Sequence, residues 1–112
     1  MIDDRGRLED IQEAIGKILA RTGAGEEAFN RDEMLQVWVL HHLQIIGEAV
    51  SRLTLELLER YPQVPWRNMI GMRNILVHQY FEVDLAVVWQ VVDRDIPSLK
   101  MQITSILKDL SN

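Results

Sequence analysis

The sequence contains no cysteine, which excludes disulfide staples, thiolate metal sites and cysteine nucleophiles. Residues that interrupt regular structure are scarce, with three prolines and six glycines in 112 positions. No apolar run approaches the roughly 20 residues that a membrane-spanning helix needs. The opening Met1-Ile2-Asp3-Asp4-Arg5 is acidic and lacks the apolar centre of a secretory signal. The expectation is a cytoplasmic protein without membrane attachment, since absence of cysteine also fits a reducing compartment.

What is present reads as one globular domain spanning residues 1–112, with 47% apolar and 26% charged residues. The net charge of −5 argues mildly against a nucleic-acid partner, because phosphate contacts dominate such affinity. The charge is segregated, however. Nine of the 17 acidic residues lie within positions 1–33, and none lies between Arg60 and Phe81. That acid-free stretch holds Arg60, Arg67, Arg73 and His78.

Apolar spacing is helical nearly throughout. Leu8, Ile11, Ile15, Ile18 and Leu19 form a first stripe, which fades by Thr22-Gly23-Ala24-Gly25. Asn30 is placed to cap a second helix, with Glu33 at capping-box spacing and Phe29 with Met34 as a hydrophobic staple. That helix can run to about Arg60, unless Thr54 caps a separate short one. Tyr61-Pro62-Gln63-Val64-Pro65 is a break, and Pro65 suits the first turn of a third helix from Trp66 to Tyr80. Asp84 caps a fourth helix carrying Leu85, Val88, Trp89 and Val92. Pro97 predicts a break or kink before a last helix with Leu99, Ile103, Ile106, Leu107 and Leu110. The fold class is therefore all-α, as an up-down four-helix bundle with room for a short extra helix.

Chemistry concentrates in Trp66-Arg67-Asn68-Met69-Ile70-Gly71-Met72-Arg73-Asn74-Ile75-Leu76-Val77-His78-Gln79-Tyr80. At about 100° per residue, Arg73 and Tyr80 lie within roughly 20° of each other, and His78 lies about 140° from Arg73. On one regular helix Arg73 and His78 cannot meet. Pairing the helix with its two-fold copy would bring one chain's His78 towards the other chain's Arg73. Arginine offers a rigid fork suited to phosphate, and histidine exchanges protons near neutrality. An RNA strand supplies its own 2′-hydroxyl nucleophile, so a base and a phosphorane-stabilising cation would suffice without a metal. Two symmetry-related histidines could also divide the work as base and acid.

Arg73-Asn74-Ile75-Leu76-Val77-His78-Gln79-Tyr80 resembles the signature of HepT-like toxins of the HEPN superfamily, Arg-x4-His-x-Tyr. Arg7-Leu8-Glu9-Asp10-Ile11, Ile45-Ile46-Gly47-Glu48-Ala49-Val50, Arg60-Tyr61-Pro62, Pro65-Trp66-Arg67 and Val83-Asp84-Leu85 extend the likeness over almost the whole chain. The resemblance implies a metal-independent endoribonuclease without a cofactor, the toxin of a type VII-like toxin–antitoxin pair. It implies a homodimer with facing motifs, Arg73 and His78 as the catalytic pair, and Asn74 contacting or orienting phosphate. The partner it implies is a minimal nucleotidyltransferase antitoxin that transfers AMP to Tyr80. A non-catalytic helical partner of such a transferase is the alternative. Glu48 could orient the site by pairing with Arg73 or Arg67, and Arg67 could extend a phosphate track. His41-His42 stands where many relatives carry Arg-Asn. His41, Gln44 and Glu48 share a helix face, but no metal motif accompanies them. Trp38, Trp66 and Trp89 suit core or interface positions better than base stacking.

Overall fold

The first helix, α1 (Asp4–Arg21), begins where Asp3 accepts a hydrogen bond from the Gly6 amide at 3.0 Å. It buries Leu8, Ile11, Ile15 and Ile18, one apolar stripe at helical spacing. The computed structural model describes residues 3–78 and 83–111. In the helix that ends at His78, the side chains of Met72 and of residues 74–78 lie outside that description.

After α1 the chain turns through Gly25, whose φ of +97° favours glycine, into a short α2 (Glu26–Arg31). The expected cap at Asn30 is not used. Asn30 lies inside α2, and Asp32 caps α3 (Glu33–Ser51) through the Leu35 amide at 3.1 Å. Two forces set this boundary. Phe29 is fully buried against Trp89, ring centroids 5.4 Å apart, which holds α2 against the core. The Gln36 side chain then donates to the Phe29 and Asn30 carbonyls, at 2.9 and 3.2 Å, satisfying the end of α2.

Thr54 does cap a separate α4 (Leu55–Arg60). Its hydroxyl and amide both donate to the Asp4 carboxylate, tying α4 to the start of α1. The Tyr61-Pro62 break is fixed at both sides. Tyr61 donates its hydroxyl to Asp109 at 3.2 Å, and the Trp66 indole donates to the Tyr61 carbonyl at 2.9 Å. Then α5 runs over Trp66–His78.

Asp84 caps α6 (Leu85–Gln90) by accepting from the Ala86 amide. No break follows at Pro97. A single π-helical turn, Val91–Asp95, leads directly into α7 (Ile96–Leu110). Proline inside an α-helix removes one hydrogen bond and crowds the carbonyl four residues back. The widened turn takes up that misfit and lets the helix continue. The expected fourth and last helices are thus one rod.

The result is all-α among the described residues, with four long helical segments and the short α2 and α4. α3 is the central rod, packed on one side by α1 and on another by α5, while α7 closes against α1. Val39, Ile46 and Val50 of α3 meet Ile11, Ile15, Ile96 and Ile103 in a core sealed from solvent. Trp66 is buried there. Trp38 instead lies under the Arg21 guanidinium, 4.4 Å from ring centre, and its indole donates to the Lys17 carbonyl. None of the three tryptophans is a free stacking platform among these contacts.

Candidate functional site

The site is built where α3 crosses α5. At that crossing α3 carries Gly47, and a Cβ there would stand 2.8 Å from the Arg73 Cβ and 2.9 Å from the Met69 carbonyl oxygen. Only glycine lets the two backbones approach this closely. The approach puts Arg73 beside the last two turns of α3.

Glu48, next to Gly47, receives the guanidinium. Arg73 donates from Nη1 to Glu48 Oε2 at 3.0 Å and to the Ser51 hydroxyl at 3.1 Å. Glu48 is held in turn, because its Oε1 accepts from Arg52 Nε at 3.1 Å. Ser51 donates to the Glu48 carbonyl at 2.6 Å, completing the knot. Glu48 and Arg73 side chains keep 45% and 36% of their exposure, so the pair adds little to stability. Its consequence is geometric. A long, mobile side chain is fixed in one direction.

The hydrogen bond from Arg52, aided by the charge of Arg73, holds the Glu48 carboxyl below its ordinary range of 4.5 against the opposing effect of partial desolvation. A depressed carboxyl pKa contributes stability that is present above the ordinary range and disappears as pH falls through the folded value. Wild-type protein is therefore expected to be more heat-stable than Glu48→Gln at pH 7, with the difference vanishing below pH ~4. Melting curves of both across pH 3–7 check this; a gap that persists in acid contradicts the assignment.

His41, Gln44 and Glu48 line a groove of about 530 Å³ between α1 and α3, opposite Arg7, Asp10 and Lys17 of α1. His42 is buried, with its Nδ1 2.7 Å from the Trp38 carbonyl. A carbonyl only accepts, so Nδ1 holds the proton there. His42 is thus a satisfied core residue, and His41 is the exposed member of the pair. Among the described residues, no group of three or more His, Cys, Asp or Glu side chains is placed to hold a metal ion.

Of the residues singled out in the sequence, Glu48 and Arg73 are brought together. Arg67 is exposed on α5 and about 120° round the helix from Arg73, away from Glu48. The side chains of Asn74 and His78 and all of Tyr80 lie outside the described residues. Ser51 and Arg52 were not singled out, although Glu48-to-Arg52 is the i,i+4 ion-pair spacing. Another signal lies in the uncharged run from Met34 to Gly47. It includes outward positions, with Met34 84% and Val37 43% exposed.

The family model described as "Ribonuclease HepT-like" matches residues 11–106. The chain belongs to the HepT-like ribonuclease family. This HepT-like chain is 42% identical over 102 residues to a Thermococcus cleftensis protein named "Probable ribonuclease HepT", covering 90% of the chain and 93% of that relative. It is 34% identical over 102 residues to a Methanocaldococcus jannaschii protein named "Putative RNase", covering 90% and 94%. A second protein of that organism, named "Gamma-glutamylcyclotransferase and putative RNase", is 42% identical over 85 residues. Those residues are 76% of this HepT-like chain but 38% of that longer relative. No solved structure matches the chain. Among the described residues, no helix is long and apolar enough to cross a membrane.

Proposed function

We propose that this HepT-like protein is a homodimeric endoribonuclease toxin that cuts RNA at a cleft shared between two copies. The observation that carries the reading is the clamped Arg73: one edge of its guanidinium is fixed by Glu48 and Ser51, within the family's Arg-x4-His-x-Tyr motif. A pre-oriented guanidinium suits the charge that develops on a phosphorane, because donors fixed in advance need no reorganisation. Glu48 then orients the site, and Asn74 and Arg67 contact the phosphate backbone.

The reaction follows from roles. His78 of one copy removes the proton of an RNA 2′-hydroxyl, and the 2′-oxygen forms a bond to the adjacent phosphorus. Arg73 of the other copy stabilises the negative charge on the phosphorane. The bond from phosphorus to the 5′-oxygen breaks, that oxygen takes a proton, and a 2′,3′-cyclic phosphate remains. No metal or cofactor enters.

The α3 face supports the dimer. Met34, Val37, His41 and Gln44 present an uncharged surface, and the same face leads to Glu48 and the Arg73 clamp. Exposed apolar surface of this kind suits an isologous interface, which would set two clamps near one seam. The control proposed is a minimal nucleotidyltransferase antitoxin that transfers AMP to Tyr80. A phosphate group about one helical turn beyond Arg73 on the same side would neutralise its cation and fill the cleft.

Purified protein is expected to cleave RNA in EDTA to products with cyclic phosphate ends. Incubation with the nucleotidyltransferase and ATP should add AMP to Tyr80, read by peptide mass spectrometry, and silence cleavage. RNA left intact in both EDTA and magnesium would overturn the nuclease reading and favour a non-catalytic partner of the transferase. Label on another residue would overturn the control alone.

A further inference from the structure

The knot around Glu48 holds two guanidinium groups. Arg73 engages Oε2 through Nη1 at 3.0 Å, and Arg52 engages Oε1 through Nε at 3.1 Å. The two cations come from different helices and are joined by opposite oxygens of one carboxylate, so they stand side by side. Arg52 uses its Nε for this contact. The guanidinium is planar and rigid, so its outer Nη1/Nη2 edge is turned away from Glu48. The side chain is 56% exposed. Arg52 is therefore a donor fork already steered by an anchor it shares with Arg73.

The surroundings favour an anion at that fork. Two guanidinium charges against one carboxylate leave the knot with a net positive charge. The nearest residues along the chain, Ser51 and Thr54, are neutral, and the Asp4 carboxylate that reaches this turn is engaged by Thr54. Ser51 supplies a hydroxyl between the two arginines. A strand whose scissile phosphate meets Arg73 would carry its neighbouring phosphate within a nucleotide step or two, the scale on which Glu48 spaces the two cations.

We infer that Arg52 is a second phosphate-binding residue, contacting the RNA backbone beside the phosphate held by Arg73. This rests on the nuclease reading above and adds to it a residue outside the family motif. Arg52 binds and registers the strand, whereas Arg73 acts on the reacting phosphate. The competing explanation is electrostatic support of the helix, since Arg52 sits at the C-cap of α3 where a cation complements the helix dipole.

The two explanations part on salt dependence. The probe is a single-stranded RNA with every 2′-hydroxyl methylated, which binds but cannot be cut. Its affinity is measured by fluorescence anisotropy across a salt series for the wild type, Arg52→Ala, Arg52→Lys and Arg73→Ala. Losing one phosphate contact on a single strand should flatten the plot of log affinity against log salt by about 0.7. Arg52→Ala is expected to show that change, with a KM for cleavable RNA raised about tenfold and kcat unchanged. Arg52→Lys should restore most of the slope but only part of the affinity, because it keeps the charge and loses the fork.

An unchanged slope in Arg52→Ala, beside a flattened slope in Arg73→Ala, overturns the assignment and leaves the nuclease reading standing. A lowered melting temperature in Arg52→Ala, fully rescued by lysine with RNA affinity unmoved, also overturns it in favour of the helix-support role. Failure of the wild type to bind or cut any RNA overturns the nuclease reading and the Arg52 role together.

Discussion

Alanine in place of Arg73 is expected to slow RNA cleavage by about 10²–10³-fold, the usual cost of removing one donor that stabilises a developing oxyanion. The loss should fall on kcat, because Arg73 is assigned to the reacting phosphate rather than to the strand as a whole. Stability should barely change. Arg73 is 36% exposed, its ion pair is of the surface kind, and Glu48 keeps Arg52 as a partner when Arg73 is gone. Arg73→Lys retains the charge but not the fork and should recover only part of the rate. His78→Ala is expected to cost 10²–10⁴-fold, in the range for a lost general acid–base. Initial rates on a labelled RNA in EDTA, paired with melting curves, check both. An Arg73→Ala protein that cuts at the wild-type rate would remove Arg73 from the chemistry.

The second large effect comes from a residue with no side chain. Gly47→Ala places a methyl group 2.8 Å from the Arg73 Cβ and 3.0 Å from its backbone nitrogen. Real Cβ atoms do not sit so close, so α3 and α5 must separate. Overpacking of this kind costs about 1–3 kcal/mol, while alanine regains up to ~1 kcal/mol of helix propensity. The net expectation is a fall in melting temperature of roughly 5–15 °C. Activity should fall further than stability, about 10²-fold, because the shift displaces Arg73 from its clamp and small misplacements near a reacting centre are costly. Gly16→Ala provides the control. A Cβ on Gly16 of α1 meets nothing within 4 Å, so the same substitution there should be neutral or stabilising. Equal melting temperatures for the two variants would contradict the close-approach account.

Much of the fold was legible because apolar spacing alone fixes which faces of α1, α3 and α7 are buried. Two boundaries were misread for different reasons. Asn30 has the right chemistry for a cap, but tertiary burial of Phe29 draws residues 26–31 into their own helix and passes the capping role to Asp32. Pro97 has the right chemistry for a break, but one π turn absorbs the misfit, a local adjustment that composition does not announce. Thr54 was undecided in the sequence because its cap depends on Asp4, some fifty residues away.

The site was legible in part. The pairing of Glu48 with Arg73 was among the expected partners, since an acid beside a glycine on one helix and an arginine in an acid-free stretch are natural complements. Gly47 read as a soft point in a helix, and only the crossing of α3 and α5 shows that it is a seat. Ser51 and Arg52 were passed over because their role arises at the contact between helices.

The central claim is that each reaction centre combines Arg73 of one copy with His78 of another. The most direct measurement mixes two inactive proteins, Arg73→Ala and His78→Ala, after unfolding and refolding them together. If the centre is shared, half of the refolded dimers hold one intact arginine–histidine pairing. EDTA-resistant cleavage should then return to about one-quarter of the wild-type rate. A mixture no more active than either variant alone, with exchange of subunits verified, would contradict the shared centre.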